Sequence, residues 1–321
     1  MSTATQERER RAFLEARRAY LGGTDVAAIL GVSKWATPLT VWNAKTGGDV
    51  PDAGSLAARR GLALEPFIAE EFVREHPEFV VYRSKPIVRD DWGFPAGASV
   101  DRMVARREKP RTPVAILEAK TAFRYGWREW DEKTGELPDA YYLQQQWYLA
   151  VTGLPLSYGV ADVGDPDRVR IVSVRADRRI QRRCIEAART FWHEHVLTGI
   201  PPEPSGTEDD ARILRQTYRG TIPDPPLVLD APEAAGLVST YLAAKAASDA
   251  AKREAETAKQ KLCALMGEHE RALAGGYLLS WKAQERTTID TKALRAAHPA
   301  IAGEFTRTTE TRVFGTPKET R

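Results

Sequence analysis

Apolar positions recur along this chain in two periods, and the places where the period changes mark its elements. Near the N-terminus, short helical runs alternate with turns. Gly22 and Gly23 precede Thr24, Asp25 and the apolar run VAAIL, and Thr37-Pro38 open a helix that Gly47-Gly48 close. From Ala53 to Glu75 a second helix is predicted, with Leu64, Phe67, Ile68 and Phe72 on one stripe and Pro66 removing a backbone donor beside Glu65. Alternation with period two then takes over. FVVY at 79–82, a segment ending in GASVD at 97–101, and VAILEAK at 114–120 are predicted strands. Residues 139–151 predict a helix that Gly153 and Pro155 stop, SYGVAD and RVRIVSV predict two further strands, and a basic helix follows over 178–198.

Helices and strands interleaved in this order imply an α/β fold, a mixed sheet with helices packed on it. The proline-rich stretch from Gly199 to Pro226 breaks the pattern and predicts a linker at 205–227, separating a domain over 1–204 from a region over 228–321. That last region begins with a predicted long helix over 231–268, rich in Ala, Lys and Glu and anchored by Leu237, Tyr241, Leu242, Leu262, Leu265 and Met266. A glycine turn at 275–276 then leads to a strand candidate, YLLSWKAQERTTI, and to a last short helix and strand. The C-terminal part is therefore a helical and β appendage serving assembly or partner binding.

Composition narrows the classes. With 42% hydrophobic and 28% charged residues the 321-residue chain can bury a sizeable core, which excludes a disordered or low-complexity protein. No window approaches eighteen uninterrupted apolar residues, so a membrane span is excluded. The N-terminus mixes acids among its arginines and lacks an apolar core, giving the expectation of a cytoplasmic protein of a bacterial or phage-infected cell. Only Cys184 and Cys263 are present, too few for a disulfide framework or a protein-ligated iron–sulfur cluster. The net charge of +3 identifies no partner by itself. Locally, however, the segment from Arg168 to Arg183 holds seven arginines and one acid, which suits either a phosphate track or a solvated helix face.

One constellation carries chemistry. Glu118 and Lys120 stand two apart on a predicted strand, so both side chains point to one face, and Asp101 ends another strand. Burying them in an apolar strand costs several kcal/mol unless they pair or hold a metal. A hard divalent cation such as magnesium would suit Asp101, Glu118 and the Ala119 carbonyl, with Glu65 reachable from the helix; a buried Glu118–Lys120 or Asp101–Lys120 ion pair, or a strand edge facing solvent, is the alternative. Thr24 and Asp25, with Arg17 or Arg18 nearby, can hold a terminal phosphate at a helix start or serve as a simple cap. Of the aromatic residues at 141–148, most are expected in the core, and Tyr141 alone is a site candidate.

The segments LGGTDVAAILG, TPLTVWNAKTG, RGLALEPFIAEEF, GASVDRMV, ILEAKTA and YYLQQQWYLAVTG, in that order, resemble the YqaJ-like viral recombinases. That family is grouped with the phage lambda exonuclease and the wider PD-(D/E)XK nucleases. The resemblance spans about residues 15–200. It implies a PD-(D/E)XK core, a central mixed sheet flanked by helices, and a magnesium-dependent exonuclease, with manganese as a possible substitute. Such an enzyme resects linear double-stranded DNA from its 5′ end to leave 3′ overhangs for phage-type recombination. It also implies Asp101 and Glu118 as metal ligands, Glu65 supporting the metal site from the helix, Lys120 orienting or activating the attacking water, and Gln144 and Tyr141 completing the active-site wall. DNA ends, a single-strand annealing protein and copies of the chain in a trimer are the implied partners. SVD stands where the family more often has proline-aspartate, and EAK where it has EVK or EIK. Two other readings stay open: a structure- or sequence-specific endonuclease on the same core, and a non-catalytic DNA-end-binding module.

Overall fold

The computed structural model describes the chain apart from residues 1–11, 13, 49–55, 123–128, 166, 224, 230–231, 309–313 and 318–321. The chain divides into two units, Met1–Thr217 and Tyr218–Arg321.

In the first unit the helix starts are set by local chemistry. Helix α1 (Gly23–Ile29) follows Gly22, whose N–H donates to the Asp25 carboxylate at 2.8 Å. Helix α2 (Pro38–Lys45) has proline at its first position, and the Thr37 hydroxyl oxygen accepts the Thr40 N–H at 3.1 Å. Helix α3 (Leu56–Glu75) runs unbroken through Pro66. It buries Ile68, Ala69 and Phe72, whereas Phe67, predicted on the same stripe, is 46% exposed. Residues 68 and 72 lie one turn apart on one line, and 67 falls a full 100° away from 68. The predicted start at Ala53 lies outside the described residues.

Strands β1 (Phe79–Tyr82), β2 (Ile87–Arg89), β3 (Ala96–Ala98), β4 (Arg102–Arg106) and β5 (Pro113–Thr121) follow. Then come α4 (Asp139–Thr152), β6 (Leu156–Asp162), β7 (Arg170–Arg175), α5 (Arg178–Phe191) with a π-helical turn at Trp192–Val196, and α6 (Glu208–Thr217). The main sheet has the order β1-β4-β5-β6-β7; β5 and β6 are parallel and the other pairs antiparallel, which makes a mixed sheet. The crossover from β5 to β6 is α4, as a parallel pair requires. One face packs Leu117, Val104 and Val160 against Ile68 and Phe72 of α3. The opposite face packs Ile116, Met103 and Val172 with Trp147 and Leu149 of α4, Val26 of α1 and Cys184 of α5. The fold class read from the sequence, a central mixed sheet flanked by helices, is the one observed.

Two local expectations are revised. The strand predicted to end at Asp101 stops at Ala98: β3 pairs with β2 in a separate two-stranded sheet, and Asp101 lies in a bend just before β4 of the main sheet. Gly97 in β3 is required by a close approach, because a Cβ there would fall 2.1 Å from the Tyr20 ring. The stretch predicted as linker, 205–227, contains α6, which buries Ile213 and Asp210. Asp210 accepts hydrogen bonds from the Thr37 hydroxyl at 2.5 Å and the Ser205 N–H at 2.6 Å, tying this helix to the start of α2. Glu208, Asp209 and Asp210 in its first turn suit the helix dipole, and that signal sat among the prolines.

In the second unit α7 (Pro232–Met266) is one continuous 35-residue helix. A hairpin of β8 (Arg271–Ala274) and β9 (Tyr277–Ser280) turns on Gly275 and Gly276, both at positive φ. Helices α8 (Thr291–Ala297) and α9 (Pro299–Glu304) follow. Strand β9 stops at Ser280, short of the predicted Ile289, and no strand follows it among the described residues. Among the described residues no helix is long and apolar enough to cross a membrane.

Candidate active site

Period-two alternation on β5 sends Glu118 and Lys120 to the sheet face that α4 covers, the face that also carries Ile116. Glu118 is 3% exposed. Its Oε1 accepts hydrogen bonds from the Lys120 ammonium and from Gln144 Nε2 of α4, the latter at 2.6 Å. Gln144 also donates to the Tyr148 hydroxyl at 3.0 Å, one helical turn along α4. Glu118 Oε2 is buried and has no hydrogen-bond partner. Asp101 reaches β5 from its bend, and its Oδ2 accepts the Ala119 N–H at 2.8 Å.

Asp101, Glu118, Lys120 and Gln144 are thus brought together, and Ala119 joins them through its N–H. Tyr141 borders them, with the Lys120 ammonium 5.0 Å from its ring centroid. Glu65 lies close enough to add to the negative potential at Asp101, but its carboxylate is bonded by Arg102 and by Arg83, the latter at 3.2 Å. Arg102 is itself buried and also donates to the Asp101 carbonyl at 2.6 Å. Sequence reasoning missed Arg102; its signal was a charged residue at an inward position of β4, next to Asp101.

The electrostatics show a shortage of positive charge. Burial, then the Glu118 charge, push the Asp101 carboxyl up to about 8; Lys120 and the Ala119 N–H offset this only in part, and Glu65 adds to it. Burial disfavours the Lys120 ammonium, but Glu118 and Asp101 outweigh it and hold this lysine above its usual range. Among the described residues no three His, Cys, Asp or Glu side chains group as a ready cation site. Two carboxylates do nevertheless fit a magnesium-type ion, which takes hard oxygens from one or two carboxylates and keeps several waters. The partnerless Glu118 Oε2 and the reluctantly ionised Asp101 both lack the positive charge that such an ion carries.

A second cluster sits at the start of α1. Arg17 donates to the Thr24 hydroxyl at 2.7 Å and pairs with Asp25 at 3.4 Å. Lys45, at the end of α2, pairs with Asp25 at 2.8 Å and donates to the Arg17 and Tyr20 carbonyls. Burial raises the Asp25 carboxyl, but Arg17, Lys45 and the Gly22 N–H together bring it below the usual range. Arg18, the alternative to Arg17, pairs instead with Glu15 at 3.1 Å. Lys45 was not anticipated, because a lysine in a last helical turn ordinarily serves the helix dipole. The two clusters meet across Gly23, where an added Cβ would lie 2.9 Å from Gln144 and 3.0 Å from the Tyr148 ring.

Comparison with known proteins agrees with the resemblance read from the motifs. The YqaJ-like viral recombinase domain matches residues 12–155. The uncharacterized protein YqaJ of Bacillus subtilis (strain 168) is 31% identical over 314 residues, covering 96% of this chain and 94% of that protein. Similar solved structures include an alkaline exonuclease, LHK-Exo, from Laribacter hongkongensis (19% identity, TM-score 0.46, 65% of this chain and 98% of that one). A phage-related exonuclease from Haemophilus somnus 129PT is another (11% identity, TM-score 0.43, 58% of this chain and 99% of that one).

Proposed function

This chain belongs to the YqaJ-like viral recombinase family, and from that premise we propose that it is a divalent-cation-dependent exonuclease. Its substrate in this reading is the end of linear double-stranded DNA, resected from the 5′ side to leave 3′ overhangs for recombination. The observation that carries the reading is the pair of buried Glu118 and half-buried Asp101, short of positive charge and flanked by Lys120.

Asp101, Glu118 and the Ala119 carbonyl are the residues that would hold the cation, magnesium or manganese. When bound, it would supply Lewis acidity toward the phosphodiester and acidify water beside it. Lys120, held above its usual range by Glu118 and Asp101, is assigned the role of a positive charge that orients water and stabilises the charge developing on the phosphate. Gln144 holds Glu118 by Oε1 and leaves Oε2 for the ligand. Tyr141 walls the site beside Lys120. Glu65 supports it through Arg102, whose guanidinium bridges Glu65 to the Asp101 backbone. Arg17 and Thr24 are assigned to the terminal 5′-phosphate, since Arg17 and Lys45 together outnumber the single charge of Asp25. The second unit, Tyr218–Arg321, is assigned to self-assembly, trimeric by the family resemblance, or to recruiting a single-strand annealing protein.

The test is digestion of linear duplex labelled at either the 5′ or the 3′ end, with closed circular duplex alongside, with and without magnesium. Magnesium-dependent loss of the 5′-ended strand from linear duplex, with circles intact, is the expected result. Prompt cutting of circles would replace this reading with an endonuclease on the same core, and binding without cutting in magnesium or manganese would replace it with an end-binding module.

A further inference from the structure

Most aromatic side chains around the carboxylate site are claimed by the core. Trp147 and Tyr148 are buried, and Trp130 is 2% exposed. Trp35 differs, with 64% of its surface exposed. It sits on the loop between α1 and α2, and the loop is fixed rather than slack. The Ser33 hydroxyl oxygen accepts the N–H groups of Trp35 and Ala36, each at 3.2 Å, and Lys34 pairs with Glu129 at 2.9 Å. The indole lies over Tyr141 with centroids 5.6 Å apart and planes inclined by 16°. The same tyrosine ring carries the Lys120 ammonium 5.0 Å from its centroid, and Lys120 bonds Glu118. An aromatic stack therefore leads from the buried carboxylates to an exposed indole. It borders a cleft of about 330 Å³ also lined by Thr121, Trp130 and Glu129.

An exposed indole held by its backbone and backed by a second ring presents a flat apolar face at little entropic cost. Beside a site for phosphodiesters, the flat apolar group within reach is a nucleobase, since each phosphate is joined to its base through one sugar. We propose that Trp35, backed by Tyr141, is a stacking platform for the base of the nucleotide adjoining the bond that is cut. The inference rests on the nuclease reading and adds a contact to it. Stacking uses the π-face that every base shares, so the platform holds an end nucleotide in register without selecting sequence. It also requires that the base leave its pair, so it favours frayed over firmly paired ends.

The experiment uses the full chain with two end-labelled linear duplexes, one bearing 2-aminopurine and the other an abasic site at the 5′-terminal nucleotide. Binding is read in calcium by anisotropy and by 2-aminopurine emission, and KM and kcat in magnesium. Wild type is expected to quench 2-aminopurine, and Trp35→Ala to lose the quenching and raise Kd and KM about tenfold or more, with kcat changed only a few-fold. Trp35→Phe should retain most of the quenching, which separates loss of stacking from loss of fold. The abasic end should weaken wild type about as much as the substitution does, and should weaken Trp35→Ala no further. Unchanged Kd in Trp35→Ala, or losses from substitution and abasic end that add in full, would overturn the platform while wild-type digestion leaves the nuclease reading standing. Failure of wild type to bind or cut linear duplex would overturn both.

Discussion

Two largely buried carboxylate clusters lie on either side of Gly23, and they are built to opposite specifications. Asp25 has Arg17, Lys45 and the Gly22 N–H for its single charge, and its carboxyl is held below the usual range. Asp101 and Glu118 have one lysine between them; Asp101 is pushed up to about 8, and Glu118 Oε2 has no partner at all. A carboxylate that the fold itself satisfies belongs to the architecture: here it joins α1 to α2 and the segment before them. A carboxylate pair that the fold leaves short of positive charge is what the proposed reading requires of a site that takes up a cation. Local destabilisation of this kind is characteristic of functional sites.

The sharpest way to break this contrast is to remove one charge from each cluster. If the proposed reading holds, Glu118→Gln should reduce magnesium-dependent cleavage of linear duplex about a thousandfold or more, because it would remove one of the two carboxylates assigned to the cation. Thermal stability should stay level or rise, and duplex binding should stay within a few-fold. Near-wild-type cleavage by a folded Glu118→Gln protein would remove this residue from the chemistry. Lys45→Met should do the reverse. Breaking a buried ion pair leaves its partner charged, so unfolding free energy should drop by about 3 kcal/mol, measured by denaturant titration. A loss below about 1 kcal/mol would mean that Arg17 alone satisfies Asp25.

The same contrast predicts a pH dependence. In metal-free protein, folded Asp101 keeps its proton up to about pH 8, whereas the unfolded chain loses it near the ordinary value of 3.8. The folded state thus binds more protons across that window. Its contribution to stability is full below about pH 4 and falls as the pH rises toward 8. Asp101→Asn removes the titrating group, so in a chelator at pH 8 this variant should melt about 5 °C or more above wild type, and the gap should close toward pH 4. Magnesium should raise the wild-type melting temperature at pH 8 and leave the variant's nearly unchanged. Parallel melting curves for the two proteins between pH 5 and pH 8 would show that Asp101 is not under-neutralised.

Much of the fold was legible because local and long-range signals agree in it. The alternation of VAILEAK put Glu118 and Lys120 on one face, and the helix at 139–151 was placed to within one residue of α4. Where the reading slipped, tertiary pairing decided. Nothing local says that the strand in GASVD ends at Ala98 in a separate small sheet, or that Asp101 therefore stands in a bend rather than at a strand end. Helix α6 was hidden because its acidic start sits among prolines, and its anchor to Thr37 spans 173 residues. The site's residue types and the pairing of Glu118 with Lys120 could be read from the strand, but the partners supplied by other elements could not. Arg102 bonding Glu65 and Lys45 bonding Asp25 both join elements that only folding brings together. Trp35 gave no periodic signal, since it lies on a loop.

The smallest expected effect tests whether the satisfied cluster has a second role. Asp25 neutralises one of the two cations beside it, so the Arg17–Lys45–Asp25 group carries one net positive charge next to the exposed Thr24 hydroxyl. A terminal phosphate monoester carries more negative charge than an internal diester and offers an extra acceptor oxygen to Arg17 and Thr24. Anchoring that group would set the distance from the DNA end to Asp101 and Glu118, and so fix which bond is cut first. Linear duplex with a 5′-phosphate should therefore be degraded several-fold faster than duplex with a 5′-hydroxyl. Because Arg17 also supports Asp25, Arg17→Ala alone would confuse binding with folding; Thr24→Val, which removes an uncharged exposed hydroxyl that accepts from Arg17 and leaves both ion pairs of Asp25 in place, is the cleaner probe. Both variants should narrow the ratio of rates on the two ends, and Arg18→Ala, whose partner is Glu15, should leave it unchanged. Equal wild-type rates on the two ends would confine the Asp25 cluster to architecture, and the comparison between the two sites would then be complete.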